Sequence, residues 1–211
     1  NLGDLCADYI KSACHTDVSV LNGGNIRDKI PSGDITVETL FRVMPYMNHL
    51  AAAQVTGQQI IDYLELGASA YPEESGSFVQ VSGLRYDIDS RIMSTVQVDD
   101  AANAFLGVTG AYRVKNVCLS DGTPVDPEGV YWLGCSDYLF LNGGDFGIFG
   151  KTYDDVVVNS AVDYMQFVDY VRDALHGEIP DSYSDPHGQG RITVIASPPG
   201  GLRGDADSDG A

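Results

Sequence analysis

Basic residues are scarce in this sequence: 12 lysines and arginines stand against 30 aspartates and glutamates, a formal net charge of −18. Such a field repels phosphate backbones and anionic lipid, which excludes nucleic acid and membrane surfaces as general partners, although a few focused arginines could still hold a small anion. Long apolar runs are missing as well. None approaches the roughly 18 residues that a membrane span needs, and no signal-peptide pattern opens the chain. The chain starts at Asn1 rather than a methionine, and the expectation is a piece of something longer. Cysteines number four, at Cys6, Cys14, Cys118 and Cys135, and no CxxC occurs. The histidines His15, His49, His176 and His187 show no zinc spacing, so a self-contained metal site is not expected. On one helix Cys6 and Cys14 would stand roughly 12 Å apart, too far to bridge. Cys118 and Cys135 fall on consecutive strand candidates, where two buried free thiols are preferred to a cross-strand disulfide.

What remains is ordinary for a globular chain: 211 residues, 44% hydrophobic and 20% charged, enough for a sizeable core. Leu2, Leu5, Tyr9, Ile10 and Ala13 recur at helical spacing, with acids early and Lys11 and His15 late, as the helix dipole prefers. Residues 18–21 read as a short strand stopped by Asn22-Gly23-Gly24. Thr36 caps a brief helical pattern over 36–43. Residues 50–55 read as a strand, and Thr56 caps a helix through Ile60, Ile61, Leu64 and Leu66. Residues 78–89 form a strand pair or one bent strand, and 111–119 and 130–135 are strands joined by Asp-Gly and Pro-rich turns. Ser160 with Asp163 resembles a capping box for a third helix, striped by Val162, Met165, Val168, Val171 and Leu175. Residues 192–195 close the pattern as a strand. Interspersed helices and strands without a regular βαβ repeat predict an α+β fold, a layered mixed β-sheet with about three main helices.

The character changes after Ala196. Ser197-Pro198-Pro199-Gly200-Gly201 is a linker, which sets the organisation as one domain over 1–196 and a tail over 197–211. Asp205, Asp207 and Asp209 followed by Gly210 fit the opening of a calcium loop, in which alternate acids supply oxygens and glycine allows the sharp turn. The chain stops one residue later, before the position-12 carboxylate. As it stands the tail is an acidic end, and calcium would bind only if the repeat were complete. Together with the linker, Gly-Asp-Ala-Asp-Ser-Asp-Gly resembles the first calcium loop of a dockerin-type repeat, a module of bacterial secreted and cell-surface enzymes. Extracellular or cell-surface location in a bacterium is the corresponding expectation.

Two glycine clusters carry the candidate chemistry. Asn22-Gly23-Gly24-Asn25-Ile26-Arg27 is a strand end opening into a glycine turn. Its glycines would let backbone N–H groups approach a ligand, and Arg27 offers a bidentate fork for phosphate. A bland turn with a surface arginine explains the same residues. Asn142-Gly143-Gly144-Asp145 presents one carboxylate, which can bind a sugar diol or merely cap a turn. Tyr46, Tyr138, Phe140 and Phe146 lie near these loops in sequence, each able to serve as core or as a ligand platform.

Taken in order, Asn-Gly-Gly-x-Ile-Arg at 22–27, Pro45-Tyr46-Met47-Asn48, Gln80-Val81-Ser82-Gly83-Leu84-Arg85-Tyr86-Asp87, Gly143-Gly144-Asp145 and Gly190-Arg191-Ile192 form a pattern. With the opening Asn1-Leu2-Gly3-Asp4-Leu5 it resembles the C-terminal domain of the 5′-nucleotidase and UDP-sugar hydrolase family, from Asn1 to about Ile195. The resemblance implies a substrate-binding domain that works with an N-terminal metallophosphoesterase domain in cis, which carries two divalent metal ions. By motif position Arg27 would contact phosphate with Asn22 beside it, and Tyr46 would be one of two aromatics sandwiching the base. Asn48 would hydrogen-bond near the base, and Asp145 would bind the ribose hydroxyls. The second aromatic is assigned to Tyr138, with Phe140 the rival, because the chain has one extra residue before Asp145.

The pattern also departs from the family at two glycines, replaced here by Met47 and Phe146. The metallophosphoesterase signatures Asp-x-His, Gly-Asn-His-Asp/Glu and Gly-His-x-His are absent from this sequence. The resemblance therefore implies the nucleotide-binding, specificity-setting part of a secreted hydrolase that converts nucleotides to nucleoside and phosphate, inactive alone. Nucleotide-sugar diphosphatase and cyclic-nucleotide phosphodiesterase activities fit the same motifs. A different class, a non-catalytic nucleoside-binding or surface-attachment module, stands as the alternative.

Overall fold

The computed structural model describes residues 1–196, so the linker and the acidic tail with Asp205, Asp207 and Asp209 lie outside the described residues. Helix α1 (Leu2–Cys14) starts with a capping box: the Asn1 side chain accepts the Asp4 N–H, and Asp4 reaches back to the cap. Strand β1 (Val18–Asn22) follows and is buried along its whole length. It can be, because both of its faces are covered. Val18 and Val20 join one core cluster and Leu21 the other, while the Ser19 hydroxyl on the α1 side donates to the Ala7 carbonyl at 2.7 Å.

Thr36 caps α2 (Val37–Val43) through the Thr39 N–H, and Thr56 both ends β2 (His49–Thr56) and caps α3 (Gly57–Ala68) through Gln59. Strand β3 (Val79–Ser82) then returns beside β1, and β4 (Leu84–Asp89) begins two residues later in a different sheet. Gly83 makes that break: at φ +76 it turns the chain out of the first sheet, and a Cβ there would lie 2.5 Å from the Asp17 carbonyl. A hairpin of β5 (Val96–Asp99) and β6 (Ala104–Val108) precedes β7 (Val114–Leu119), and β8 (Val130–Ser136) leads into the short helix α4 (Asp137–Leu141). Strand β9 (Val156–Val162), helix α5 (Asp163–Asp169) and strand β10 (Ile192–Ile195) complete the order.

The central sheet runs β3-β1-β8-β2-β9, with β1 and β8 parallel and the other pairs antiparallel. One face is covered by α1, α2 and α5, whose Leu5, Tyr9, Leu40, Val43 and Phe167 form a cluster with Leu21 and Leu50. Tyr9 and Phe167 stack there with ring centroids 4.5 Å apart. The other face meets α3 and the second sheet, β10-β4-β7. The predicted α+β class with a layered mixed sheet is the observed one.

Two expectations need correction. The third helix does not start at Ser160. Residues 156–162 pair antiparallel with β2 as an edge strand, and α5 begins at Asp163 without a side-chain cap at Val162. The β-branched run Val156-Val157-Val158 favours the pleated surface, and the anticipated stripe member Met165 is 50% exposed while Phe167 is buried. The hairpin over 96–108 and helix α4 carried no expectation in the sequence. Cys118 and Cys135 are free thiols as preferred, their strands not being neighbours (β7 pairs with β4, β8 with β1 and β2), but only Cys135 is buried and Cys118 is half-buried.

Candidate functional site

Strand directions bring four separate stretches to one edge of the central sheet. Because β1 and β8 are parallel, Asn22 and Ser136 end at the same side. Because β2 runs against β8 and β3 against β1, the starts of β2 and β3 arrive there too, with Leu50 opposite Ser136 and Val79 opposite Asn22. Each strand therefore delivers a loop to this edge: 23–27, 45–48, 75–77 and, through α4, 138–145. Between them lies a cleft of about 580 Å³ lined by Asn22, Arg27, Tyr46, Asn48, Tyr138 and Asp145, with Gly24, Asn25, Gly76 and Ser77. The six residues given substrate contacts by motif position all line this one cleft, whereas Phe140 and Phe146 do not.

Each side chain is held by identifiable partners. Buried Asn25 donates its amide to the Asn22 Oδ1 at 2.9 Å, which fixes the Asn22 amide plane. Arg27 is exposed, anchored by its own N–H to the Val43 carbonyl (2.9 Å) and by one guanidinium N–H to the Gly24 carbonyl (3.2 Å). The neighbouring Asp28 pairs with Arg42 instead (3.3 Å). The carbonyl of Asn48 accepts the N–H of buried Asp163 (2.8 Å), and the next N–H, of His49, goes to the Asp137 carboxylate (3.2 Å). Burial, with the Asp137 charge adding to it, pushes the Asp163 carboxyl up to about 6.

Tyr46 is 54% exposed and Tyr138 39% exposed, so both rings present a wet face. Phe140, the rival to Tyr138, is 3% exposed and packs edge-on against Phe149 in the core. Gly144 lies under the Tyr138 ring: a Cβ there would come within 2.4 Å of Tyr138 Cε1.

Asp145 is the most constrained group. Its Oδ2 accepts the hydroxyl of fully buried Tyr63 on α3 at 2.7 Å, and its Oδ1 accepts the Ser77 hydroxyl at 3.1 Å. Burial holds the carboxyl above the usual carboxylate range, against the opposing pull of those two donors. Neither Tyr63 nor Ser77 was singled out from the sequence. The position of the 75–77 loop is set from further back. The buried guanidinium of Arg113 donates to the carbonyls of Ala68, Ser69 and Tyr71, fixing the chain as it leaves α3, while Glu65 caps the Arg113 and Val114 N–H groups.

One sequence expectation fails here. The N–H groups of Gly23 and Gly24 are not free for a ligand, because they donate to the Phe78 and Gly76 carbonyls at 2.7 and 2.8 Å. The two non-glycine departures, by contrast, keep a glycine-like backbone. Met47 has φ +56 and Phe146 φ +60, left-handed values that a side chain adopts at a cost of about 1 kcal/mol or more. Among the described residues, no group of three or more His, Cys, Asp or Glu side chains could hold a metal ion, and no helix is long and apolar enough to cross a membrane.

The family model described as 5′-nucleotidase, C-terminal domain matches residues 1–151. The chain belongs to the 5′-nucleotidase C-terminal domain family. A 5′-nucleotidase of Vibrio parahaemolyticus is 32% identical over 128 residues, covering 59% of this chain and 22% of its own length. The cell wall protein Lmo0130 of Listeria monocytogenes is 27% identical over 183 residues, covering 82% of this chain and 21% of its own. The crystal structure of the 5′-nucleotidase precursor from Thermus thermophilus matches with a TM-score of 0.74 at 29% identity. That match covers 94% of this chain and 36% of the other, so the likeness includes β9 and α5 beyond the family match. The chain thus spans between about a fifth and just over a third of the length of these three proteins.

Proposed function

We propose that this chain is the nucleotide-binding, specificity-setting domain of a 5′-nucleotidase-type phosphoric monoester hydrolase, which releases nucleoside and phosphate. The observation that carries the reading is the cleft itself: an arginine fork, two half-exposed tyrosines, two amides and a buttressed carboxylate converge from loops far apart in sequence. In this reading Tyr46 and Tyr138 stack on the two faces of the base, an interaction worth roughly 1–3 kcal/mol per base and indifferent to base identity. Asn48 hydrogen-bonds at the base edge. Asp145 accepts from the ribose hydroxyls, and Arg27 receives a phosphate oxygen pair beside the Asn22 amide.

The chemical step belongs to a metallophosphoesterase domain in cis, whose two divalent metal ions polarise the phosphoryl group and activate water. This chain contributes position: held at base, ribose and phosphate, the substrate arrives at the metals already oriented. Alone it is inactive, so a metal-supplemented, contaminant-controlled sample should release no phosphate from AMP. Placement outside the cell or at the bacterial surface draws support from the Listeria relative, which is named a cell wall protein. Fractionation of the source cells tests it. A dockerin-like repeat continuing from Asp205, Asp207 and Asp209 fits that placement, and calcium titration of the extended chain tests it.

The deciding experiment for the cleft is ligand-observed NMR with adenosine, guanosine, uridine and AMP. Binding, even at millimolar affinity, should disappear in Tyr46→Ala and Asp145→Ala. Absence of binding by every nucleoside would overturn the reading in favour of an attachment module with a closed base slot.

A further inference from the structure

Two groups that touch Asp145 have no part in the function as stated, and their arrangement is specific. The Tyr63 hydroxyl rises from the middle of α3 through a fully buried site and donates to one carboxylate oxygen; Ser77, on the loop before β3, lines the cleft and donates to the other. An ionised carboxylate has about four lone-pair positions. Using one on each oxygen fixes the plane of the group and leaves acceptor capacity on each for a ligand. Two acceptors on one carboxylate match a vicinal cis-diol, which supplies two adjacent donors. A single hydroxyl would leave one buried acceptor unpaired, and that imbalance is what makes polar sites discriminate.

The backbone supports the same conclusion. Asp145 sits at φ +48 between Gly144 and Phe146, a conformation that a non-glycine residue adopts only where its surroundings hold it. Three elements hold the side chain: its own turn, α3 through Tyr63, and the 75–77 loop through Ser77. The other ionisable groups near it are Cys135 on β8, itself buried, Tyr138 on the same stretch, and Arg27 and Tyr46 elsewhere in the cleft lining.

We propose that Tyr63 and Ser77 are positioning residues that set Asp145 to recognise the cis-diol of a ribonucleoside and to reject its 2′-deoxy counterpart. This deepens the assignment of Asp145 to ribose and rests on it. A purely structural network, tying the 142–147 loop to α3, would change stability without changing that choice.

The test is isothermal titration of the full chain with two matched pairs, adenosine against 2′-deoxyadenosine and uridine against 2′-deoxyuridine. For whichever base binds, the wild type should favour the ribonucleoside by about tenfold, the effect of one hydrogen bond to a charged acceptor. Tyr63→Phe and Ser77→Ala should each bring the ratio to about threefold or less, and Ser77→Thr, which keeps the hydroxyl, should restore it. Thermal melts report any loss of fold, and Ser77→Ala, at the cleft wall, carries the test should Tyr63→Phe not fold. If the wild type discriminates, Asp145→Ala abolishes the preference, and Tyr63→Phe and Ser77→Ala retain it, the positioning role is overturned while the ribose assignment stands. If the wild type does not discriminate, or Asp145→Ala keeps the preference, the ribose assignment falls and takes the positioning role with it.

Discussion

The two glycine clusters look interchangeable in sequence, Asn-Gly-Gly-Asn at 22–25 and Asn-Gly-Gly-Asp at 142–145, yet they use glycine for different physical reasons. At 23 and 24 neither φ is positive. Those glycines are needed for proximity: both donate backbone N–H groups to the 76–78 segment, and a Cβ on either would lie 3.2 Å from a carbonyl oxygen of Phe78 or Gly76. The second loop needs handedness. Gly143, Asp145, Phe146 and Gly147 all have positive φ, between 48 and 70, and only Gly144 is there for space, under the Tyr138 ring. The first loop is thus a single 3-10 turn tied to the segment entering β3, and the second a tight left-handed knuckle that turns one carboxylate inward. One motif, read twice, supplies an arginine platform on one wall and a carboxylate socket on the other.

The strongest way to break this comparison is Gly144→Ala. Its Cβ would meet the Tyr138 ring at 2.4 Å and the Tyr138 carbonyl oxygen at 2.9 Å. The half-exposed ring can swing away, but the carbonyl belongs to α4 and cannot, so both the base slot and the local backbone shift. Stability should fall by about 1–2 kcal/mol, and nucleoside affinity by about tenfold or more through the lost stacking face. Denaturant melts and titration measure the two separately. Unchanged affinity would mean that Tyr138 is not a stacking face.

Acid sharpens the comparison next, at the carboxylate of the second loop. Asp145 is held above the usual carboxylate range by burial, with Tyr63 and Ser77 opposing. A raised folded-state value means that the folded protein holds its proton more tightly than the unfolded chain. The contribution of Asp145 to stability is therefore fully present below the unfolded value and is lost as pH rises through the folded one. Ribose recognition needs the ionised form and runs the other way, weakening as pH falls through that same folded value. Denaturant melts and adenosine titrations, both run between pH 7 and pH 4 with Asp145→Asn as the control that removes both trends, should show the opposition directly.

How much of this was legible beforehand follows the same division. Strands β1, β2 and β8 and the Thr36 and Thr56 caps stand in short, self-contained patterns, and the cleft residues sit in motifs of a few residues each. What the sequence hid was long-range. Tyr63 occupies an ordinary helix stripe beside Leu64, and Ser77 sits in a Ser-Gly turn; nothing local marks either as a partner of a carboxylate 82 or 68 residues away. The Gly23 and Gly24 N–H groups look free in the sequence because their acceptors lie more than 50 residues on. The failure at β9 is of another kind. Val162, Val168 and Val171 do stand at helical spacing, but the preceding valine run is satisfied by pairing with β2 at the sheet edge, and tertiary pairing overrode the helical register. The hairpin over 96–108 is hidden for a local reason: Val96-Gln97-Val98-Asp99 alternates over only four residues, and its partner Ala104-Phe105-Leu106-Gly107-Val108 does not alternate at all.

The smallest effects discriminate best between handedness and proximity. Gly143→Ala forces a side chain into φ +70 with a Cβ 3.0 Å from the Asn103 amide, whose Nδ2 donates to the Gly143 carbonyl. It should cost about 1–2 kcal/mol. Gly24→Ala keeps an allowed φ and needs its neighbours, the Gly76 carbonyl and Cα at 3.2 and 3.4 Å, to give by only a few tenths of an ångström. Replacing glycine at a compatible φ also removes unfolded-chain entropy, which stabilises by about 0.4–1 kcal/mol and offsets most of that strain. The net change at position 24 should lie within about 0.5 kcal/mol of zero. Paired chemical denaturation of the two variants settles the matter. A cost at 24 equal to that at 143 would mean that the first loop also depends on glycine conformation, and the two clusters would then be one device used twice.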